Sequence, residues 1–261
     1  MKFTKMQGLG NDYLYIYGEV PENVKDLAVK YSDRHFGVGS DGLIFISPSK
    51  IADFKMRIFN VDGSEAKMCG NGIRCVGKYV YEKGYTDDTV LTIETLSGIK
   101  TLKLSVVFGK VKSVSVDMGK TTVENKLTLT AGDKEFTAVP VSVGNPHIVV
   151  FVEDAENFPI EKYGKILEKH PQFPDGVNVE FAEIKDGYIR MRVWERGSGI
   201  TLACGTGACA TVSAAVKKGF INAGEFVTVK LDGGNLQVKY TDNGVIMTGG
   251  AEFVCEGETY D

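Results

Sequence analysis

The chain repeats itself, and the repeat limits the folds open to it. Met56-Arg57-Ile58-Phe59-Asn60 parallels Met191-Arg192-Val193-Trp194-Glu195 at an offset of 135 residues. The same offset joins Cys69-Gly70-Asn71-Gly72 to Cys204-Gly205-Thr206-Gly207 and Lys83-Gly84 to Lys218-Gly219. Earlier in each half the offset is 134. There Gly10-Asn11 ahead of Tyr13-Leu14-Tyr15-Ile16-Tyr17 parallels Gly144-Asn145 ahead of His147-Ile148-Val149-Val150-Phe151, and Asp41-Gly42 parallels Asp175-Gly176. A one-residue gap reconciles the two offsets. Matches in order and in register point to a duplication, and 261 residues suffice for two domains with separate cores.

Runs rich in Val, Ile, Phe and Tyr between turn residues predict strands at 43–46, 54–59, 90–93, 111–116, 148–152, 188–193, 226–231 and 236–240. One helix per half follows the Cys-Gly motif, at 74–83 and 208–218, each closed by Lys-Gly. Further helices are expected at 22–31 and 160–169. The expected fold class is α+β, with two pseudo-symmetric domains, each a curved β-sheet or barrel around a central helix. The active site is expected in the interdomain cleft. The first domain takes residues 1–117 plus about 249–261, with a last strand at 249–255 returning to it; the second takes 118–248.

Composition excludes several partners. Thirty Lys and Arg against 34 Asp and Glu give a net charge of −4 with no basic stripe, a poor match for nucleic acid. No apolar run approaches a membrane span or a signal peptide, so a cytoplasmic protein is expected. Five cysteines, an odd number in a chain too large to need stapling, suit thiols in a reducing compartment.

Two of those thiols carry chemistry. Cys69 and Cys204 each stand where an extended segment enters a helix through Gly-x-Gly, so the backbone is approachable and the positive helix end favours an anion. A helix N-terminus lowers a thiol's pKa, bringing thiolate within reach of neutral pH. If the duplicated domains face each other, a planar carbanion between the motifs meets one sulfur on each side. One thiolate removes a proton and the opposite thiol delivers one, which inverts the centre. Backbone N–H groups of Gly70, Asn71, Gly205 and Thr206 would hold a carboxylate, each donor contributing roughly 3 kcal/mol to the transition state.

Other readings fit less well. Cys69-x5-Cys75 and Cys204-x4-Cys209 are not zinc spacings, and only three His are available. Cys75, Cys209 and Cys255 read as small buried apolar residues. A Cys69–Cys204 disulfide would block the acid–base chemistry. Gly37-Val38-Gly39-Ser40-Asp41-Gly42 spells a dinucleotide fingerprint, but it follows polar residues and opens a strand instead of a helix. Taken singly, Asn11 and Asn178 read as turn residues, and His147 reads equally as a core histidine.

Asn60-Val61-Asp62-Gly63-Ser64 followed by Cys69-Gly70-Asn71-Gly72-Ile73-Arg74 resembles the signature of the diaminopimelate epimerase family. Gly144-Asn145-Pro146-His147, Asn178, Trp194-Glu195-Arg196-Gly197 and Ala203-Cys204-Gly205-Thr206-Gly207 extend the resemblance to nearly the whole chain. It implies interconversion of LL- and meso-diaminopimelate in lysine biosynthesis, with neither cofactor nor metal, by a homodimer. It implies Cys69 and Cys204 as the acid–base pair and His147 and Glu195 as residues tuning them. It also implies substrate contacts from Asn11, Asn60, Gly70, Asn71, Asn145, Asn178, Glu195, Arg196, Gly205 and Thr206. Ile200 stands where many bacterial members have Glu, and Gly42 where some have Gln. The rival enzyme is another two-cysteine racemase of the proline racemase kind. A phenazine-type isomerase would lack the cysteine pair, and a redox or binding module would want a resolving Cys-x2-Cys.

Overall fold

The computed structural model describes residues 1–260 and divides into two compact units, Met1–Val116 with Gly249–Asp261, and Asp117–Thr248. In the first unit, β1 (Lys2–Gly8) and β2 (Asn11–Tyr17) form a hairpin. Its turn needs positive φ at Leu9 and Gly10, and it sets Asn11 at the start of β2. Helix α1 (Val24–Ser32) crosses to β3 (Gly42–Pro48), which runs parallel to β2 and antiparallel to β4 (Phe54–Asn60). The short β5 (Glu65–Ala66) leads into α2 (Gly70–Glu82), after which β6 (Val90–Thr95) lies parallel to β4. Antiparallel β7 (Gly98–Val107) and β8 (Lys110–Asp117) follow.

The second unit repeats this plan. After β9 (Thr122–Val123) and β10 (Leu127–Ala131) come β11 (Lys134–Ser142) and β12 (Pro146–Phe151). Helix α3 (Ile160–Glu168) crosses to β13 (Asn178–Lys185), parallel to β12 and antiparallel to β14 (Tyr188–Glu195). Then β15 (Gly199–Thr201) leads into α4 (Gly205–Lys217), and β16 (Phe226–Leu231) lies parallel to β14. Antiparallel β17 (Gly234–Thr241) and β18 (Gly244–Gly249) follow. The final β19 (Glu252–Glu258) pairs with β1, back in the first unit.

The central strands are buried on both faces, the pattern of strands sandwiched between helices. Leu14, Ile16, Leu43 and Phe45 pack with Val24, Ala28 and Tyr31 of α1. Ile148, Val150, Val179 and Phe181 pack with Ile160, Tyr163 and Leu167 of α3. By strand alternation the intervening residues, Tyr13, Tyr15 and Ile44 or His147, Val149 and Glu180, turn to the other face, where α2 or α4 lies. Helix α4 is buried from Gly207 through Ala215, and α2 from Gly70 through Val80. A helix buried all round needs small residues against its neighbours, and α4 supplies Gly207, Ala208, Ala210, Ala214 and Ala215. Each unit is thus an α+β fold with strands around one central helix.

Three expectations change. Both central helices begin earlier than the sequence signals implied, at Gly70 and Gly205. Asp41-Gly42 and Asp175-Gly176 are not equivalent. Leu43 pairs with Leu14 and Phe59, Val179 with Ile148 and Trp194, so Gly42 corresponds to Asn178 and Ile44 to Glu180. Cys255 is exposed, because β19 pairs with β1 through an irregular ladder and lies uncovered along most of its length. Gly37–Gly42 does open a strand, β3. No helix among the described residues is long and apolar enough to cross a membrane.

Candidate active site

Cys69 and Cys204 are the N-caps of α2 and α4. Both have extended backbone, and in each the sulfur accepts the N–H three residues on: Gly72 N to Cys69 Sγ at 3.3 Å and Gly207 N to Cys204 Sγ at 3.3 Å. A sulfur therefore takes the place that Ser or Asp oxygen usually fills at a helix start. First-turn N–H groups point beyond a helix, and here they belong to Gly70, Asn71, Gly205 and Thr206, next to the positive end of each helix dipole. At positions 72 and 207 any side chain would crowd a neighbouring side chain. A Cβ on Gly72 would lie 2.8 Å from Ile44 Cδ1, and one on Gly207 would lie 2.7 Å from Glu180 Oε1.

Around Cys69, Asn11 Oδ1 accepts from the thiol at 3.3 Å while Asn11 Nδ2 donates to Asp41 Oδ2 at 2.7 Å. Burial pushes the Tyr13 hydroxyl well up, with the charges of Cys69 and Asp41 adding to it. Asn71 is buried and its Oδ1 accepts from Arg74 Nη1 at 3.0 Å. Arg74, 0% exposed, also donates to Gly70 O at 3.2 Å and Gly250 O at 3.1 Å. Asn60 ends β4 and donates to Ser64 Oγ at 3.1 Å, away from the hydrogen bonds that hold the thiol.

Around Cys204 the surroundings are more acidic. Thr206 Oγ1 lies 3.5 Å from Cys204 Sγ and accepts from Asn145 Nδ2 at 3.3 Å. Asn145 Oδ1 meets His147 Nε2 at 3.0 Å, and His147 Nδ1 meets Glu180 Oε1 at 2.7 Å. Burial pushes the Cys204 thiol well up, the carboxylates of Glu195 and Glu180 push it further, and the bonds from Thr206 and Gly207 offset part of this. Glu195 is itself raised, by burial first and then by Glu180, against the hydrogen bond from Thr201. Asn178 is buried and structural as well as polar: its Nδ2 donates to Pro146 O at 2.8 Å and its Oδ1 accepts from Arg196 N at 3.0 Å. Arg196 Nη1 donates to Asp175 O at 3.2 Å.

Three residues here escaped the sequence reading. Arg74 and Glu180 are described above. Glu168 accepts from Trp194 Nε1 at 2.7 Å and Gly197 N at 2.9 Å, so it anchors the turn that carries Glu195 and Arg196. Burial raises its pKa, but those two bonds and the charges of Lys169 and Arg196 together leave it lowered. Among the described residues no group of three or more His, Cys, Asp or Glu is arranged to hold a metal ion. All five cysteines are present as thiols.

Solved structures share the architecture. A phenazine biosynthesis protein of the PhzF family from Bacillus anthracis superposes with a TM-score of 0.80 over 100% of this chain and 99% of its own, at 17% identity, which is a likeness of fold. The family model described as Diaminopimelate epimerase matches residues 3–124 and 139–254. A protein named Diaminopimelate epimerase from Methanococcus maripaludis is 51% identical, with 99% of each chain covered. One of the same name from Bacillus subtilis is 47% identical, covering 98% of this chain and 97% of its own. On a match that takes in both duplicated halves and both cysteine-capped helices, this chain belongs to the diaminopimelate epimerase family, a family of isomerases.

Proposed function

We propose that this protein interconverts LL- and meso-diaminopimelate in lysine biosynthesis, with Cys69 and Cys204 exchanging the roles of base and acid at the α-carbon. The observation that carries the reading is the repetition of one device: in each unit a cysteine caps the N-terminus of the buried central helix. A thiolate at that place is stabilised by backbone N–H groups and the helix dipole. The adjacent N–H groups of Gly70, Asn71, Gly205 and Thr206 suit a carboxylate, whose charge grows as the α-proton leaves. A substrate with a second amino-acid head also needs groups remote from the reacting carbon, and the Arg196 guanidinium offers a bidentate partner for its carboxylate. The full-length relatives at about half identity support the substrate. Thiols throughout suit a reducing cytoplasm, and the family resemblance supports a homodimer.

The test is incubation of the fully reduced protein with LL-diaminopimelate in heavy water, without added cofactor. Deuterium is expected at one α-carbon together with formation of the meso isomer. No exchange in a reduced sample, or exchange confined to proline, would overturn the reading.

A further inference from the structure

Asp41 has no part in the chemistry above, yet three donors converge on its carboxylate beside the first cysteine-capped helix. The Asp12 backbone N–H donates to Asp41 Oδ2 at 3.0 Å, and Asn11 Nδ2 donates to the same oxygen at 2.7 Å. Arg34 Nη2 donates to Oδ1 at 2.9 Å. The backbone is tied at the same place, since the Asp41 N–H donates to Asp12 O at 2.7 Å. Asp41 is thus held from several sides where β3 begins beside β2, and one of its partners, Asn11, touches the Cys69 thiol.

The direction of each link follows from groups that act in only one way. A backbone N–H and a guanidinium donate and never accept, so both oxygens of Asp41 are acceptors. Oδ2 already takes the Asp12 N–H, and an Asn11 amide oxygen turned to it would set two acceptors 2.7 Å apart. Asn11 therefore gives Asp41 its amide N–H and turns Oδ1 to Cys69 Sγ, at 3.3 Å. A carbonyl oxygen only accepts, so the thiol supplies the hydrogen, and the bond lasts only while Cys69 is protonated. A thiolate in its place would face the lone pairs of that oxygen. The Gly72 N–H, 3.3 Å from the same sulfur, favours the thiolate, and the Asn11 carbonyl is its counterweight.

We propose that Asp41 is a positioning residue for Cys69: by fixing the Asn11 amide with its carbonyl oxygen toward the sulfur, it holds Cys69 as the thiol in the resting protein. Its bearing on catalysis, a Cys69 poised as acid, rests on the epimerase reading; the hydrogen bonds do not. Charge works in the same direction. Tyr13, pushed up first by burial, is pushed further by the charges of Cys69 and Asp41, so the three groups oppose one another's ionisation. The second unit has no such device. Its register sets Asn145 at the place of Asn11 and the buried, apolar Val177 at the place of Asp41. The titratable groups whose ionisation Cys69 opposes are Tyr13 and Tyr15 of β2 and Cys75 of α2. Other charges on the elements packed against α2 are engaged elsewhere. Lys5 of β1 pairs with Asp12 of β2, which Arg34 also bonds. Arg57 of β4 pairs with Glu65 and Lys55 with Glu94, while Arg74 bonds the carbonyls of Gly70 and Gly250. Lys2 of β1 and Lys103 of β7 are exposed, Lys100 of β7 is half-buried opposite Ile93, and β3 carries no charge.

The test compares the full-length reduced protein with Asp41→Ala, which releases the Asn11 amide, and Asp41→Asn, which keeps an acceptor for it and loses the charge. Arg34 retains Asp12 as a partner in both. Iodoacetamide labelling across a pH series, read peptide by peptide in a mass spectrometer, follows each thiolate separately. With Asp41→Ala the Cys69 profile should move down by about one pH unit, giving about tenfold faster labelling near neutral pH, with Cys204 unchanged. Asp41→Asn should restore most of the original profile. A Cys69 profile unmoved or displaced upward in Asp41→Ala overturns the proposal. So does Asp41→Asn moving it as far as Asp41→Ala, which would make charge alone the cause. Labelling raised evenly at every pH, with no displaced midpoint, would mean loosened packing and also overturns it. Should Asp41→Ala not fold, the infrared S–H stretch of the unaltered protein decides, assigned by its loss in Cys69→Ala. A band lowered by hydrogen bonding supports the proposal; a band at the free-thiol frequency, or none near neutral pH, overturns it. Deuterium exchange by the unaltered protein is scored separately, so a failed epimerase reading would leave the labelling result standing.

Discussion

The starts of α2 and α4 share a backbone and differ in charge. Both are capped by a cysteine sulfur that accepts the N–H three residues on, and both open with Gly-x-Gly. The strand registers then pair Tyr13 with His147, Ile44 with Glu180 and Asn60 with Glu195, while the 135-residue offset of the helices pairs Arg74 with Cys209. One helix start thus holds a fully buried arginine and no carboxylate at these positions; the other holds two carboxylates and an imidazole. The duplicated part sets where each sulfur stands. The diverged part decides how readily it ionises, since carboxylates oppose a thiolate and a cation favours one. Burial first, and then the carboxylates of Glu195 and Glu180, push the Cys204 thiol up.

Substitution of the sulfurs themselves should have the largest effect. Cys69→Ala and Cys204→Ala are each expected to lower epimerisation at least about a thousandfold, as loss of a positioned acid or base does; a full rate in either would end the two-thiol model. The buried arginine comes next. Arg74→Met removes donors from Gly70 O, Gly250 O and Asn71 Oδ1, and should cost roughly 3 kcal/mol in urea unfolding. Its counterpart Cys209→Ala should cost only about 1 kcal/mol. Equal losses would show that Arg74 is ordinary core.

The glycines make a finer comparison. Gly72→Ala presses on Ile44 Cδ1 and Met56 Cε, an apolar crowding of about 1–3 kcal/mol. Gly207→Ala presses on Glu180 Oε1 and lies 3.2 Å from Cys204 Sγ, so it should lower turnover as well as stability. Thermal unfolding and deuterium exchange on both variants separate the effects, and a catalytic loss confined to Gly72→Ala would contradict the assigned asymmetry.

The sequence displayed the duplicated part well and the diverged part poorly. Cys-Gly-x-Gly is visible because it recurs, at 69–72 and at 204–207. The expected helices at 74–83 and 208–218 nevertheless leave its residues out, although a first turn needs no intrahelical acceptor for its N–H groups. Glu180 stayed hidden inside Asn178-Val179-Glu180-Phe181, a stretch outside the expected strands that the structure places in β13. Only the pairing of Val149 with Glu180 across two buried faces reveals that both sides are covered. Matching Asp41-Gly42 to Asp175-Gly176 concealed the correspondence further, since that register sets Asn178 opposite Ile44 and Glu180 opposite Ile46. Arg74 stands beside the motif, but nothing in Ile73-Arg74 announces a buried charge whose partners include Gly250, 176 residues on. The two-residue strands β5 and β9 are too short for any periodicity to show.

A thiol outside the acid–base pair gives the smallest and cleanest contrast. Cys75 is fully buried on α2, and burial pushes it up to about 11, against partial relief from the Tyr15 hydrogen bond and the Arg74 charge. Its folded pKa is thus above the unfolded value of 9.0. The stability gained by keeping it neutral is complete below the unfolded value and is lost as pH rises toward and through the folded one. A displacement from 9.0 to about 11 corresponds to roughly 3 kcal/mol between the two ionisation states, an upper bound approached only above both values. Cys75→Ala removes this titration and leaves that of Cys204 in place. It should cost about 1 kcal/mol near neutral pH, for the lost sulfur, and then fall less steeply than the unaltered protein as pH rises from about 8 to about 11. The two stability curves should therefore converge. Curves that stay parallel in urea titrations across that range would mean that Cys75 ionises as easily in the fold as in the open chain, and that α2 is less dry at its second turn than α4 is at its start.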